Sequence, residues 1–93
     1  ASLMQANLSD SDFSGADLSG ADLDRAILVG VVLSEAILVN VNLEWSNMQS
    51  TDLSGADLTG SDLTGANLSH GVADSFTRWP TGFDPEAAGV VID

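Results

Sequence analysis

Residues 11–23 read Ser-Asp-Phe-Ser-Gly, Ala-Asp-Leu-Ser-Gly, Ala-Asp-Leu. A large apolar residue returns at every fifth position, with a small residue two places before it and Asp directly before it. An α-helix repeats about every 3.6 residues and a flat strand about every two, so a period of five suits neither. It calls for a chain that turns a corner after every five residues.

The frame extends in both directions from this stretch as small, polar, apolar, polar, corner. The apolar position holds Leu3, Leu8, Phe13, Leu18, Leu23, Leu28, Leu33, Leu38, Leu43, Met48, Leu53, Leu58, Leu63 and Leu68. The small position runs from Ala1 and Ala6 to Ser61 and Ala66 and holds nothing larger than Val. The corner is Gly at residues 15, 20, 30, 55, 60 and 65. Self-similarity at a fixed period marks a repeat architecture, in which each unit buries its apolar face only by stacking on its neighbours.

Four units, Ala16-Asp17-Leu18, Ala21-Asp22-Leu23, Ala56-Asp57-Leu58 and Ala66-Asn67-Leu68, carry the motif A-[D/N]-L. Over residues 1–70 the chain resembles the pentapeptide-repeat family. The resemblance implies an all-β fold, a right-handed quadrilateral β-helix in which four five-residue sides make one coil of twenty. The physics agrees. Small and apolar positions lie two apart on an extended segment, so both point inward. Fourteen units then give about 3.5 coils, a prism roughly 17 Å tall at the spacing of paired strands.

With twenty residues per coil, the polar position before each Leu stacks as Ser2/Asp22/Asn42/Asp62, Asn7/Ile27/Asn47/Asn67, Asp12/Val32/Asp52 and Asp17/Ile37/Asp57. No Asp is expected directly above another in these columns. A neutral residue between two carboxylates doubles their separation and halves their repulsion. One column departs from this pattern, placing Asp24 against Glu44, where Arg25 is expected to neutralise the pair.

Composition excludes several classes of function. The chain has 93 residues, enough for one domain, and fourteen acids against two bases give a net charge of −12. Nucleic-acid binding and attachment to anionic membranes need Lys and Arg, so neither is expected. At 44% hydrophobic and 17% charged, the chain is not composed like a disordered one. There are no cysteines, and the longest apolar run, Ala26 to Val29, is far too short to span a membrane. The expected location is soluble: the cytoplasm or, if Ala1 is a processed start, the periplasm or thylakoid lumen.

Residues 26–41 interrupt the acidic theme, with Ile27, Val29, Val32, Ile37 and Val39 facing outward. Such residues serve either as β-branched sheet formers or as a contact surface. One side of the prism, carrying Asn7, Ser9, Ile27, Val29, Asn47, Gln49, Asn67 and Ser69, has no charge, whereas the other three carry Asp or Glu. Its residues Asn7, Ile27, Val29, Asn47, Gln49 and Asn67 are the candidate interaction surface for a protein partner.

The frame fails after His70, which predicts a β-helix over 1–73 and a C-terminal capping segment over 74–93. That segment holds Phe76, Trp79 and Phe83, expected to cover the Leu63/Leu68 end. Within it, Asp84-Pro85-Glu86-Ala87-Ala88-Gly89 reads as a short helical turn with an Asp N-cap. Residues 79–89 also resemble a tail that follows the repeats in cyanobacterial members. The first coil has no corresponding cover, and this open end invites self-association, as does the uncharged side.

No nucleophile, base and orienting group can be assembled around the single histidine, His70, so no enzyme activity, cofactor or metal is expected. A cation held by Asp24 and Glu44 would lack the six or more oxygens Ca²⁺ takes. The reading is therefore a structural or protein-interaction module. The alternative, drawn from the family, is an acidic DNA mimic that binds a topoisomerase such as DNA gyrase. Ten of the fourteen acids fall within residues 1–70. Their density along the axis is comparable with the one charge per ~1.7 Å of duplex DNA.

Overall fold

The computed structural model describes residues 2–93, so Ala1, the first small position of the frame, lies outside the described residues. From Ser2 to Asp52, the polar-position residues pair in parallel with the residue twenty further on. Ser2 pairs with Asp22, Asp22 with Asn42 and Asn42 with Asp62 along the first side. Asn7, Ile27, Asn47 and Asn67 do so along the second, Asp12, Val32 and Asp52 along the third, and Asp17, Ile37 and Asp57 along the fourth. No Asp is paired with an Asp in these ladders.

The five-residue period suits the fold because, in a unit such as residues 46–50, it accounts for every backbone N–H, as a buried ladder requires. The polar residue donates back one coil, as Ile27 does to the Ala6 carbonyl at 2.8 Å. The apolar and corner residues donate forward one coil, as Leu8 does to Ile27 and Asp10 to Val29, at 2.8 and 2.9 Å. The small residue closes the turn, Ala6 donating to Leu3 at 3.0 Å. The remaining N–H, just after the apolar residue, is taken by the side chain two places before it. Asp17 Oδ1 accepts from Ser19 N–H at 3.0 Å, and nine other Asp and Asn side chains do the same in their units. Asp and Asn are the residues whose side chains reach this far along their own backbone.

All fourteen corner residues from Gln5 to His70 have φ between 57° and 74°. Eight of them are not glycine, and none of those eight is β-branched, the type least able to adopt this conformation.

From the second coil onward, Leu23, Leu28, Leu33, Leu38, Leu43, Met48, Leu53, Leu58, Leu63 and Leu68 are buried, as are Ala21, Ala26, Val31, Ala36, Val41 and Ala56. Where the small position is Ser or Thr, the hydroxyl finds a carbonyl. Ser46 donates to Leu43 at 2.8 Å and Thr51 to Met48 at 3.0 Å. At the turn 38–41, Ser61 Oγ accepts from Val41 N–H at 3.1 Å and donates to the Leu38 carbonyl. Among the described residues no buried side-chain polar atom lacks a partner. Leu3, Leu8, Phe13 and Leu18, in the first coil, are only half-buried.

The segment beyond His70 goes on winding. Strand β1 (Val72–Ala73) pairs in parallel with strand β2 (Val91–Ile92), and Arg78 pairs with Asp57. These registers are 19 and 21 rather than 20: one extra residue in the corner at 74–77 makes the 21 between Asp57 and Arg78, and the chain from Arg78 to Val91 then runs two residues short. Asp74 makes up for the disturbed ladder: its Oδ1 accepts from Gly55 N–H and Phe76 N–H, both at 3.0 Å. Trp79 and Phe83 stack with ring centroids 5.3 Å apart and pack on the core, together with Ala88 and buried Val90. Phe76 does not join them. It sits at the tip of the enlarged corner and is 78% exposed. Residues 84–89 form a hydrogen-bonded turn rather than a helix. Asp84 Oδ1 accepts from Ala87 N–H at 3.2 Å, and Val90 N–H returns to the Pro85 carbonyl at 3.0 Å.

Candidate interaction surface

The ladder brings Asn7, Ile27, Asn47 and Asn67 into one row on the second side, with Val29 and Gln49 in the row beside it. Asn7, Asn47 and Asn67 each turn Oδ1 to their own backbone, accepting from Ser9, Gln49 and Ser69 at 3.1, 3.3 and 3.0 Å. Their amide nitrogens are left to face outward. Ile27 is 39% exposed in the middle of this row and Val29 is half-buried. The side is therefore polar above and below an apolar centre.

Its border carries a charge that the reading by sides overlooked. The corner residue Asp10 lies over Gly30, where an added Cβ would overlap its carboxylate. The same arrangement recurs at other corners: Asn40 covers Gly60, and the Trp45 ring covers Gly65. Here glycine supplies room as well as a left-handed backbone. The signal was available in the sequence, since Asp10, Glu35, Asn40 and Trp45 each have Gly twenty residues later.

The outward carboxylates are structural before they are anything else. Asp12, Asp17 and Asp62 are held below the ordinary carboxylate range by the hydroxyl and then the N–H of Ser14, Ser19 and Thr64, against a smaller opposing effect of burial. Asp57 is lowered in the same way by Thr59, with a further pull from Arg78. At Asp74 desolvation pushes the pKa up, but the Gly55, Phe76 and Thr77 hydrogen bonds together outweigh it and the net shift is down. A folded pKa below the unfolded value of 3.8 gives stability that is present above pH ~3.8 and lost as pH falls through the folded values. The melting temperature is thus expected to drop below about pH 4. Replacing Asp12, Asp17, Asp57 and Asp62 together by Asn keeps every Oδ1 acceptor and should flatten that acid limb. Thermal melts from pH 7 to pH 2 followed by circular dichroism check both statements.

Arg25 pairs with Asp24, Nη1 to Oδ2 at 3.0 Å. Among the described residues no three His, Cys, Asp or Glu side chains converge as metal ligands would. Two surface recesses, of about 430 Å³ beside Glu35, Gly55 and Phe76 and about 380 Å³ beside Asp62, Leu63 and Phe83, contain no His. His70 stands at an exposed corner away from both. No helix among the described residues is long and apolar enough to cross a membrane.

Comparisons with known proteins agree with this geometry. The family described as pentapeptide repeats matches residues 1–38 and 36–71. Among solved structures, the chain is similar to the pentapeptide repeat protein alr5209 of Nostoc PCC 7120, at 26% identity and a TM-score of 0.59, covering 99% of this chain and 84% of that one. It is also similar to a pentapeptide repeat protein of the Arabidopsis thaliana thylakoid lumen, at 27% identity and a TM-score of 0.49, covering 80% of this chain and 58% of that one. HetL, a pentapeptide repeat protein involved in heterocyst differentiation regulation in Nostoc sp. strain PCC 7120, shares 28% identity at a TM-score of 0.45, over 76% of this chain and 46% of that one. No curated protein matches the chain. With ladders every twenty residues, an inward Leu every five and a family match from residue 1 to residue 71, the chain belongs to the pentapeptide-repeat family, whose members fold as right-handed quadrilateral β-helices.

Proposed function

We propose that this chain is a non-enzymatic protein-interaction module, a β-helix of about 3.5 regular coils closed at its C-terminal end by residues 74–93, that docks a protein partner on its second side. The observation that carries this reading is the charge distribution. The rows containing Ile27 and Val29 have no carboxylate, while each of the other three sides carries several. A half-exposed apolar centre between outward-facing Asn amides has the make-up of a small contact patch with a polar rim.

The acidic DNA mimic has less behind it. The ladders place Val32 between Asp12 and Asp52 and Ile37 between Asp17 and Asp57, so the charge is interrupted at mid-height on the third and fourth sides, unlike that of a duplex.

The test compares sides. A partner captured by the wild-type chain should bind the Ile27→Asp/Val29→Asp variant at least about tenfold more weakly, the effect of losing ~1.4 kcal/mol. Ile37→Asp, an equally exposed apolar residue on the fourth side, should leave binding unchanged. Surface plasmon resonance on the three proteins decides. Equal affinities, or equal losses in both variants, would remove the second side as the docking face.

A further inference from the structure

Phe76 is the one phenylalanine that does not pack on the core. Phe13 and Phe83 lie against it, whereas Phe76 stands at the tip of the enlarged corner and is 78% exposed. Its backbone is nonetheless fixed. The Phe76 N–H is held by Asp74 Oδ1 at 3.0 Å, and the next residue, Thr77, is buried and donates its hydroxyl to the Leu53 carbonyl at 2.8 Å. A lone apolar residue in water would mean little. This one walls a recess.

The recess, of about 430 Å³, lies at the corner between the third and fourth sides, and Ser34, Glu35, Ser54, Gly55 and Asp74 are its other lining residues. Gly55 leaves the room. The Glu35 side chain leans over it, with Cγ 3.2 Å from where a Cβ would stand. Both acids that line the recess have acceptor capacity to spare. Glu35 has no ion-pair partner among the described residues, and its carboxylate accepts no hydrogen bond from them. Asp74 uses Oδ1 for Gly55, Phe76 and Thr77, and its Oδ2 accepts nothing within the chain. Neither base of the chain answers them: Arg25 is paired with Asp24 at another corner, and Arg78 adjoins Asp57 on the fourth side.

We propose that this recess takes the guanidinium of an arginine side chain presented by a partner protein. The planar group lies on the face of the Phe76 ring, and its N–H groups donate to Glu35 and to Asp74 Oδ2. Arginine fits this lining through its shape as well as its charge. It is flat, so it stacks on an aromatic face, and its donors fan out in that plane toward carboxylates at its edge. A lysine ammonium is a strongly hydrated point charge and matches the ring less well. A hard metal ion takes six or more oxygens and gains nothing from an aromatic wall. The contact shares no residue with the second side, so it stands or falls independently of the docking reading above.

The probe is Nα-acetyl-arginine amide, titrated into the isotope-labelled chain at constant ionic strength and followed by heteronuclear NMR. Saturable shifts are expected at the amides of Gly55 and Phe76, which both donate to Asp74 Oδ1. The neutral isostere, Nα-acetyl-citrulline amide, should produce none. Phe76→Leu, which keeps an apolar side chain without the ring, and Glu35→Gln should each weaken binding about two- to fivefold, the effect of losing an exposed cation–π contact or surface ion pair. Both residues are exposed, and unchanged amide positions elsewhere verify that each variant is folded. Shifts as large at Ser19 and Thr64, whose amides donate to Asp17 and Asp62, would reveal general attraction to an acidic surface and overturn the site. So would silence at Gly55 and Phe76, or an affinity unchanged in either variant. Equal binding of Nα-acetyl-lysine amide would overturn the choice of arginine.

Discussion

Leu38→Ala is expected to cost about 2–5 kcal/mol, the range for truncating a fully buried leucine. Leu38 is 0% exposed, lies in the central coil and has inward-facing residues above and below it. The coils on either side are tied to it by backbone ladders, so they cannot collapse into the cavity left behind. Leu3→Ala should cost less than half as much, because Leu3 is half-exposed in the first coil and its removal opens a notch rather than a void. Urea unfolding of both variants checks the contrast through their midpoints, with the slope unchanged if each remains two-state. For a domain whose whole stability is about 5–15 kcal/mol, the central substitution threatens folding itself.

The second large effect is at Gly65. Its φ is +70°, and the Trp45 ring occupies the space a Cβ would take. Gly65→Ala therefore meets two separate penalties: about 1 kcal/mol for a left-handed alanine, and the displacement of the indole from its seat. A total near 2 kcal/mol is expected, read from urea unfolding midpoints. Gly20→Ala is the matched control, since its φ is +73° and nothing lies within 4 Å of its added Cβ. Only the backbone penalty should remain there. In a double-mutant cycle, Trp45→Ala should return the cost of Gly65→Ala to that of Gly20→Ala. Identical costs at Gly65 and Gly20 in the wild-type background would show that the indole yields freely.

The regular part of the fold was legible because one constraint repeats. Leu at every fifth position, with Ala, Ser, Thr or Val two places before it, leaves the chain a single way to turn. The pairing of Asp12 with Val32, or Asn42 with Asp62, then follows by counting. The Asp and Asn side chains were harder to read. Their outward direction follows from strand geometry, but direction does not reveal that Oδ1 curls back to the N–H two residues on. That bond explains why Asn replaces Asp so readily at this position, since both present the same acceptor. The tail was least legible. A single extra residue at 74–77 throws the frame out of step, and a carboxylate, Asp74, takes the place of a backbone carbonyl at Gly55. No periodicity announces such a substitution, and Phe76 is left at the surface by the same irregularity.

The candidate surface was legible as a placement only. Counting by twenty puts Asn7, Ile27, Asn47 and Asn67 in one row, and the ladder does so. It does not show that Asp10 reaches over Gly30 at the border of that row, because a corner side chain can lean along either side.

The way each unit divides its N–H groups also sets how long they keep their hydrogens. Four of every five amides are held by backbone carbonyls in the ladder or the turn, and one is held only by a surface side chain. At Ile27, Val32 and Ile37 that side chain is aliphatic, so the amides of Val29, Ser34 and Val39 have no such acceptor, although the neighbouring Leu28, Leu33 and Leu38 are among the most deeply buried residues. Amides that exchange with solvent fastest and slowest thus sit side by side at mid-height, and the lifetimes of single protons rise and fall along the chain with the same five-residue beat as its leucines.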